Sequence, residues 1–277
     1  MGFQDTSLAG LSGVERQRVA MRGLQRRMVA HIAAGSTTDL AAAPRKIPAS
    51  VYTDPARAEV EYRALFLHLP LVAALSCDVP EPGDAITFDA AGVPVLIMRG
   101  KDGVLRAFRN ACRHRAARLV KDCHKGGRVS CPFHGWTYDS QGQLVGVPGK
   151  VAFEGLDVES VSLQPIALAE WHGLVLVRLE GDEAIDAESF FGPMADEIRQ
   201  LGLEKVVPVK KARVDVAANW KFAQDTFFEG YHFNSLHPTT IGAATFNNVT
   251  VHDAFGPHQR VMMPYRFFQD WVGQDEA

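Results

Sequence analysis

Two Cys–His pairs constrain this chain more than any other feature: Cys112-Arg113-His114 and Cys131-Pro132-Phe133-His134. Sixteen residues lie between His114 and Cys131. One residue separates the ligands of the first pair, and two separate those of the second. Two thiolates with two imidazoles make a four-ligand metal site. The spacings suit two opposed hairpin loops better than a helix, whose same-face positions recur three or four residues apart. A structural zinc site is one reading. Zinc ligands, however, are usually ordered as a Cys pair followed by a second Cys pair or a His pair.

The order C-x-H then C-x-x-H resembles that of the Rieske [2Fe–2S] proteins. The resemblance implies that Cys112 and Cys131 hold one iron and that His114 and His134 hold the other. Neutral imidazoles in place of two thiolates leave such a cluster less negative and raise its reduction potential. The flanking Asn110, Arg115, Pro132 and Gly135-Trp136 agree with this reading. Gly135 lets backbone amides come close to a sulfide.

A second constellation follows Asn219-Trp220-Lys221 and contains Asp225, Glu229, His232 and His237. Read as one helix, Asp225, Glu229 and His232 share a face. His237 requires that helix to distort or end at Asn234 or Ser235. Two imidazoles with a carboxylate and open positions suit non-haem Fe(II) that binds O₂. The stretch N-W-K…E-x-x-H-x-x-x-x-H resembles the mononuclear iron site of Rieske non-haem iron oxygenase α subunits. The resemblance implies that His232 and His237 are iron ligands. It makes Glu229 the bridge to a cluster His of the neighbouring subunit, and places Asp225 near the iron.

The rest of the sequence frames these two sites. At 277 residues, 47% hydrophobic and 22% charged, the chain has the composition of a globular protein. A net charge of −3 gives no case for nucleic acid or an anionic membrane, and no apolar run is long enough to span a bilayer. Cys77 and Cys123 are left over, which argues against a disulfide framework and for a reducing, cytoplasmic setting. Residues 1–10 read as disordered. Leu11, Val14, Met21, Leu24, Met28 and Ile32 recur at helical spacing, with Gly35 as the stop. Ser36–Pro48 reads as a linker and Ile47–Tyr52 as extended, before a helix beginning at Asp54-Pro55. Ala85–Phe88, Val93–Arg99, Leu105–Asn110, Arg128–Ser130, Trp136–Asp139 and Gln143–Val145 read as short strands. Leu168–Glu180 reads as one long strand or a strand pair, and Ala187–Leu201 as a helix. The alternating Val207, Val209, Val214 and Val216 make Val206–Ala217 a strand.

These readings give an α+β protein. Residues 1–46 form an N-terminal helix and linker, and 47–160 an antiparallel β Rieske [2Fe–2S] domain. Residues 161–277 then form an α/β helix-grip-like catalytic domain. The resemblance implies an oxygenase component with a [2Fe–2S] cluster and a mononuclear Fe(II). Such a component activates O₂ to hydroxylate or demethylate a small organic substrate, aromatic compounds included, as a monooxygenase or dioxygenase. The resemblance implies that electrons come from NAD(P)H through a separate reductase, with or without a ferredoxin; this sequence carries no G-x-G-x-x-G fingerprint, so nicotinamide binding is assigned to that partner. Relatives are homotrimers, some with β subunits. The family takes a third iron ligand, a carboxylate, from far downstream of the second His. Only Asp253, Asp270, Asp275 and Glu276 remain here, so the catalytic domain reads as truncated. A Rieske electron-transfer protein without oxygenase activity is the alternative function, and a zinc-stabilised binding module is a third.

Overall fold

The apolar run from Val93 to Met98 becomes a strand covered on both faces, and one half of the molecule is arranged around it. The computed structural model describes residues 12–274. It divides into two compact units. The first comprises Pro55–Phe190 with Leu201–Arg213. Its strands are β1 (Leu71–Leu75), β2 (Ala85–Ala90), β3 (Val93–Arg99), β4 (Leu105–Arg109), β5 (Cys123–His124), β6 (Arg128–Ser130), β7 (Thr137–Asp139), β8 (Leu144–Gly146), β9 (Pro165–Trp171) and β10 (Leu174–Arg178). Seven form one sheet in the order β1-β10-β9-β4-β3-β2-β5, and β6-β7-β8 form a smaller one. Every pairing is antiparallel. Along β3, Leu96 and Met98 pack with Phe108, Tyr138, Cys112 and Cys131. Val95 and Ile97 join a second cluster with Ile166, Val175 and Val177. Alternate residues of one strand therefore feed two cores, which is why β3 reads as a continuous apolar run.

The expected strands before residue 147 match β2–β4 of the large sheet and β6–β8 of the small one closely. Asp102-Gly103 lies in the β3–β4 connection, where Gly103 takes φ +77°. The boundary expected near residue 160 falls just before β9, which pairs with β4, while β10 pairs with β1. The sheet runs on to Arg178, and Leu168–Glu180 resolves into the β9–β10 hairpin. Val206–Ala217 is also corrected and lies outside any strand. Its valines alternate, yet Val209 is 96% exposed. Alternation makes a strand only where a neighbour supplies the ladder and the buried face.

The second unit comprises the described parts of Met1–Asp54, Phe191–Gln200 and Val214–Ala277. Helix α1 (Gly13–Ala33) starts at a capping box. In it Ser12 Oγ accepts from the Glu15 amide and the Glu15 carboxylate accepts from the Ser12 amide. Leu24, Met28 and Ile32 share one face and pack on Val249, Val251 and Phe268. β11 (Val251–Phe255) and β12 (His258–Met262) form a hairpin. The expected linker is tied down at its start, where the Thr38 hydroxyl and the Asp39 amide both donate to the Thr250 carbonyl. Ser50–Thr53 is a helical turn, α2, where extended chain was expected. Pro55–Glu61 follows as α3, in the first unit. The single helix expected over 187–201 breaks into α4 (Ala187–Phe191), a 3₁₀ turn at Gly192–Met194 and α5 (Ala195–Gln200). Pro193 has no amide hydrogen to carry one helix through. The stretch expected to be disordered, 1–10, lies outside the described residues.

An ionic chain holds α1 on the hairpin. Arg27 bonds Asp39 at 2.6 Å and Asp253 at 2.7 Å, Arg260 bonds Asp253 at 2.8 Å, and Arg260 also pairs with Glu197. Burial works against ionisation of Asp253, but its bonds to Arg260 and Arg27 outweigh this and hold its carboxyl below the ordinary range. Asp39 is lowered likewise, against burial, by the His252 amide, His31 and Arg27. A carboxyl with a depressed folded-state pKa stabilises the fold above its unfolded pKa, and that contribution is lost as pH falls through the folded value. Acid should therefore loosen α1 only below about pH 4. Trp271 fluorescence and far-UV circular dichroism, followed from pH 7 to 2, check this. Loosening that began at pH 6 would contradict it.

Candidate iron–sulfur and iron sites

The two cluster loops are built alike although their ligand spacings differ. In the first, the Cys112 amide donates to Ala117 O and Cys112 O accepts from the Ala116 amide, both at 2.8 Å. In the second, the Cys131 amide donates to Trp136 O at 2.7 Å and Cys131 O accepts from the Gly135 amide at 2.9 Å. The residue four after each cysteine is left-handed, Ala116 at φ +58° and Gly135 at φ +71°. A side chain at Gly135 would meet Pro148 Cγ at 3.0 Å. The first loop is closed from within by Asn110, which is 1% exposed. Its Nδ2 donates to Val120 O at 2.6 Å, and its Oδ1 accepts from the amides of Leu119 and Val120 at 3.1 Å. No buried hydrogen-bonding atom of this staple is left over.

These loops bring the four predicted ligands together as a cysteine side and a histidine side. Cys112 and Cys131 are buried neighbours in one core. Burial pushes the Cys131 thiol up, but the amides of Phe133 and His134 and the Cys112 thiol outweigh it and leave the group below its ordinary value. Amides aimed at sulfur favour the thiolate that ligates metal. The His114 and His134 rings lie 4.8 Å apart, and His114 stacks on Trp136 at 4.9 Å. His114 Nδ1 is buried with no hydrogen-bond partner among the described residues. A buried ring nitrogen left this way fits a metal bond in place of the missing hydrogen bond. The donor set thus fits a cluster with thiolates on one iron and imidazoles on the other. Among the described residues, no three His, Cys, Asp or Glu close on one ion.

Tyr138 was not singled out from the sequence. It is fully buried. Its Oη accepts from the Arg113 amide at 3.0 Å and lies 3.5 Å from Cys112 Sγ, so its own proton points to sulfur. Burial first, and the Cys112 contact second, push its pKa up, so the phenol stays protonated. A donor on a ligand sulfur favours the more negative, reduced cluster. Tyr138→Phe should lower the midpoint potential by roughly 50 mV, the equivalent of about 1 kcal/mol of differential hydrogen bonding. Protein-film voltammetry measures it, and an unchanged or raised potential would refute the role. The only sequence signal was a large aromatic in a short polar strand beside the second pair.

The second site lies on α6 (Trp220–Phe227), α7 (Phe233–Leu236) and the turn between them. Asn219 caps α6, its Oδ1 accepting from the Lys221 amide at 3.0 Å. The single helix expected through His232 is corrected, since α6 stops at Phe227. Gly230 packs so closely that a Cβ there would meet Met263 Sδ at 2.7 Å, and this turn carries Glu229 and His232 away from the α6 face. Glu229 Oε1 accepts from His232 Nδ1 at 2.5 Å, and Oε2 accepts from the Tyr231 amide. The His237 ring lies 5.5 Å from that of His232. The bond at Nδ1 fixes the His232 tautomer and leaves Nε2 as a metal donor. Burial raises the Glu229 carboxyl, but the bonds from His232 and Tyr231 more than offset it and hold it below the ordinary range.

Asp225 is placed elsewhere. It is exposed on α6 and accepts from Tyr52 Oη at 2.6 Å. Asn219 Nδ2 also holds the Tyr52 carbonyl, at 2.9 Å. The shared face expected for Asp225, Glu229 and His232 is therefore not formed. Of the downstream carboxylates, Asp253 is committed to Arg27 and Arg260. Asp270 is exposed, and Asp275 and Glu276 lie outside the described residues.

Residues 70–163 match the Rieske [2Fe–2S] domain family. Residues 203–276 match the ring-hydroxylating α-subunit catalytic domain. The chain is a homologue of Rieske oxygenase α subunits. This Rieske oxygenase homologue is 29% identical over 198 residues to the glycine betaine monooxygenase oxygenase subunit of Chromohalobacter salexigens, covering 71% of this chain and 44% of the relative. It is 32% identical to the carnitine monooxygenase oxygenase subunit of Acinetobacter baumannii, over 69% of this chain and 52% of the other. A crystal structure of a quaternary ammonium Rieske monooxygenase superposes with TM-score 0.72 at 26% identity, over 79% of this chain and 61% of that one. Naphthalene 1,2-dioxygenase superposes with TM-score 0.60 at 26% identity, over 67% and 43%. The chain spans about half the length of the curated relatives it matches. The family uses a [2Fe–2S] cluster and a mononuclear iron, so both cofactors expected from the sequence belong to this homologue's domains.

Proposed function

We propose that this chain carries the electron relay of a Rieske oxygenase α subunit. Cys112, His114, Cys131 and His134 hold the cluster, and His232 and His237 hold the iron. Glu229 is the bridge to a cluster histidine of a neighbouring subunit. The observation that carries this reading is the Glu229–His232 bond with His237 beside it, in a chain that also presents the Cys/His quartet. A pure electron carrier needs no such pair. When bound, the cluster would supply single electrons and the iron the O₂-activating chemistry.

The protein's own part is placement. Glu229 holds the His232 proton at Nδ1 and turns Nε2 outward. Asn219 and Tyr52 anchor α6, the helix that leads into this turn. Asp225 acts through Tyr52 and has no direct role at the metal. An NAD(P)H-dependent reductase or ferredoxin supplies the electrons. The working assembly is a homotrimer, in the cytoplasm. Among the described residues, no helix is long and apolar enough to cross a membrane.

For the substrate, the similarity to glycine betaine and carnitine monooxygenases favours a quaternary ammonium compound over an aromatic hydrocarbon. Protein reconstituted with iron and sulfide, reduced and examined by EPR, should show a Rieske signal. With a reductase present, glycine betaine or carnitine should stimulate O₂ uptake more than naphthalene does. An EPR-silent, colourless protein holding zinc would overturn the reading.

A further inference from the structure

The helix that carries both later histidines at its ends cannot hold itself. α7 is a single turn of four residues, with His232 as its N-cap and His237 as its C-cap. One turn closes too few hydrogen bonds to offset the order it imposes. An N-cap side chain ordinarily accepts from an amide of the first turn. His232 makes no such bond, because its Nδ1 is taken by Glu229. An imidazole committed to a carboxylate on one nitrogen and to a metal on the other has nothing left with which to cap.

Asn247 makes that bond instead. Its Oδ1 accepts from the Asn234 amide at 3.1 Å, and its Nδ2 donates to Asn248 Oδ1 at 2.8 Å, which orients the side chain. The backbone on either side is fixed. The Phe246 amide donates to Pro264 O at 3.1 Å, and Val249 is buried in the core that α1 shares. Asn247 lines the same cleft of about 440 Å³ as Glu229 and Tyr231. The other end of α7 is closed by Gly242. Its amide donates to His237 O at 3.0 Å, and a Cβ there would meet Phe233 O at 2.5 Å. One segment, 242–247, therefore grips both ends of the turn between the two imidazoles.

We propose that Asn247 is a positioning residue of the mononuclear iron site. It supplies the cap that His232 cannot, and thereby fixes the separation and angle of the His232 and His237 rings. The proposal rests on the reading of those two histidines as iron ligands. Its action passes through the α7 backbone. Groups that orient a ligand without binding the metal commonly change affinity about 10- to 100-fold. Asn247→Asp keeps the acceptor, and Asn248 can turn its amide to donate to it. Asn247→Leu keeps the size and removes the acceptor.

The test compares Asn247→Leu and Asn247→Asp with the parent, using the full chain reconstituted with its cluster and titrated with Fe(II). Asn247→Leu should bind the mononuclear iron about tenfold more weakly and broaden the EPR signal of its nitrosyl adduct. Before Fe(II) is added, its α7 amides should exchange hydrogen about fivefold faster than the parent's. Asn247→Asp should match the parent in all three measurements. Far-UV circular dichroism and Trp271 fluorescence serve as the folding control; if Asn247→Leu fails it, Asn247→Ala takes its place. Parent-level affinity and an unchanged nitrosyl signal in Asn247→Leu, where His232→Ala loses its iron, overturn the role of Asn247 and leave the iron reading standing. Equal losses in the Leu and Asp variants also overturn it, since the acceptor would then be irrelevant. If His232→Ala itself keeps parent-level iron, the reading of the site fails and the positioning role falls with it.

Discussion

Cys131→Ala is expected to give a protein without visible absorption and with at least two fewer iron atoms per chain than the parent. Cys131 is 4% exposed and stands at the centre of the second loop. Its backbone bonds to Trp136 and Gly135 survive the substitution, so the loop persists while the thiolate is lost. A cluster iron held by Cys112 alone on the protein side is not retained. Removing the buried sulfur also costs about 1–2 kcal/mol in packing, because Cys131 shares its core with Tyr138, Trp136 and Leu96. Cluster binding is coupled to folding of its loops, so the midpoint of thermal unfolding should fall further than packing alone predicts. Cys123→Ala is the control. That thiol is exposed on β5 and belongs to neither loop, so colour and melting temperature should stay near the parent values. A coloured Cys131 variant, or a colourless Cys123 variant, would remove the quartet assignment.

Legibility followed the kind of force involved. The two Cys–His pairs stood out because metal ligation would use few residue types at fixed spacings. Strands β1 and β5 were not expected, whereas β2, β3 and β4 could be read because β3 is apolar throughout and its neighbours are bounded by turns. The likeness of the two loops could not, since C-x-H and C-x-x-H look different, and only the backbone shows Ala116 and Gly135 in the same left-handed place. Ala116→Gly should stabilise that loop by up to about 1 kcal/mol in thermal melts, since glycine adopts φ +58° without strain. Chain reversals driven by tertiary packing were hidden as well. At the end of α6 the Glu229 carboxylate accepts from the Tyr231 amide and Gly230 packs against Met263, contacts that a helical period does not announce. The valines of 206–217 carry the period of a strand, but a period cannot report whether a neighbouring strand exists. Asp39 and Asp253, far apart in sequence, meet on Arg27, and no spacing rule anticipates an ionic chain of that reach.

His232→Ala should remove one iron per chain while leaving the cluster spectrum intact, and this separation is the sharpest consequence of the two-site reading. His232 and His237 flank α7 as its two cap residues, whereas the candidate cluster loops grow from β4, β6 and β7, so neither site shares a ligand with the other. Glu229→Gln keeps an acceptor for His232 Nδ1 but removes the charge that makes the imidazole a stronger donor. Iron affinity should drop about 10- to 100-fold, with the cluster again untouched. His237→Ala should resemble His232→Ala, because a lone imidazole in a half-open site holds Fe(II) weakly. Asp225→Asn should leave both metals in place and act only on α6, by weakening the bond from Tyr52. Iron analysis before and after mild chelation, together with EPR of the nitrosyl adduct for the mononuclear metal and of the reduced cluster, resolves the four variants. Parent-level iron in both histidine variants would place the mononuclear site elsewhere in the chain. Loss of the cluster signal in either would mean that the two constellations are one structural unit, and the relay would lose its second station.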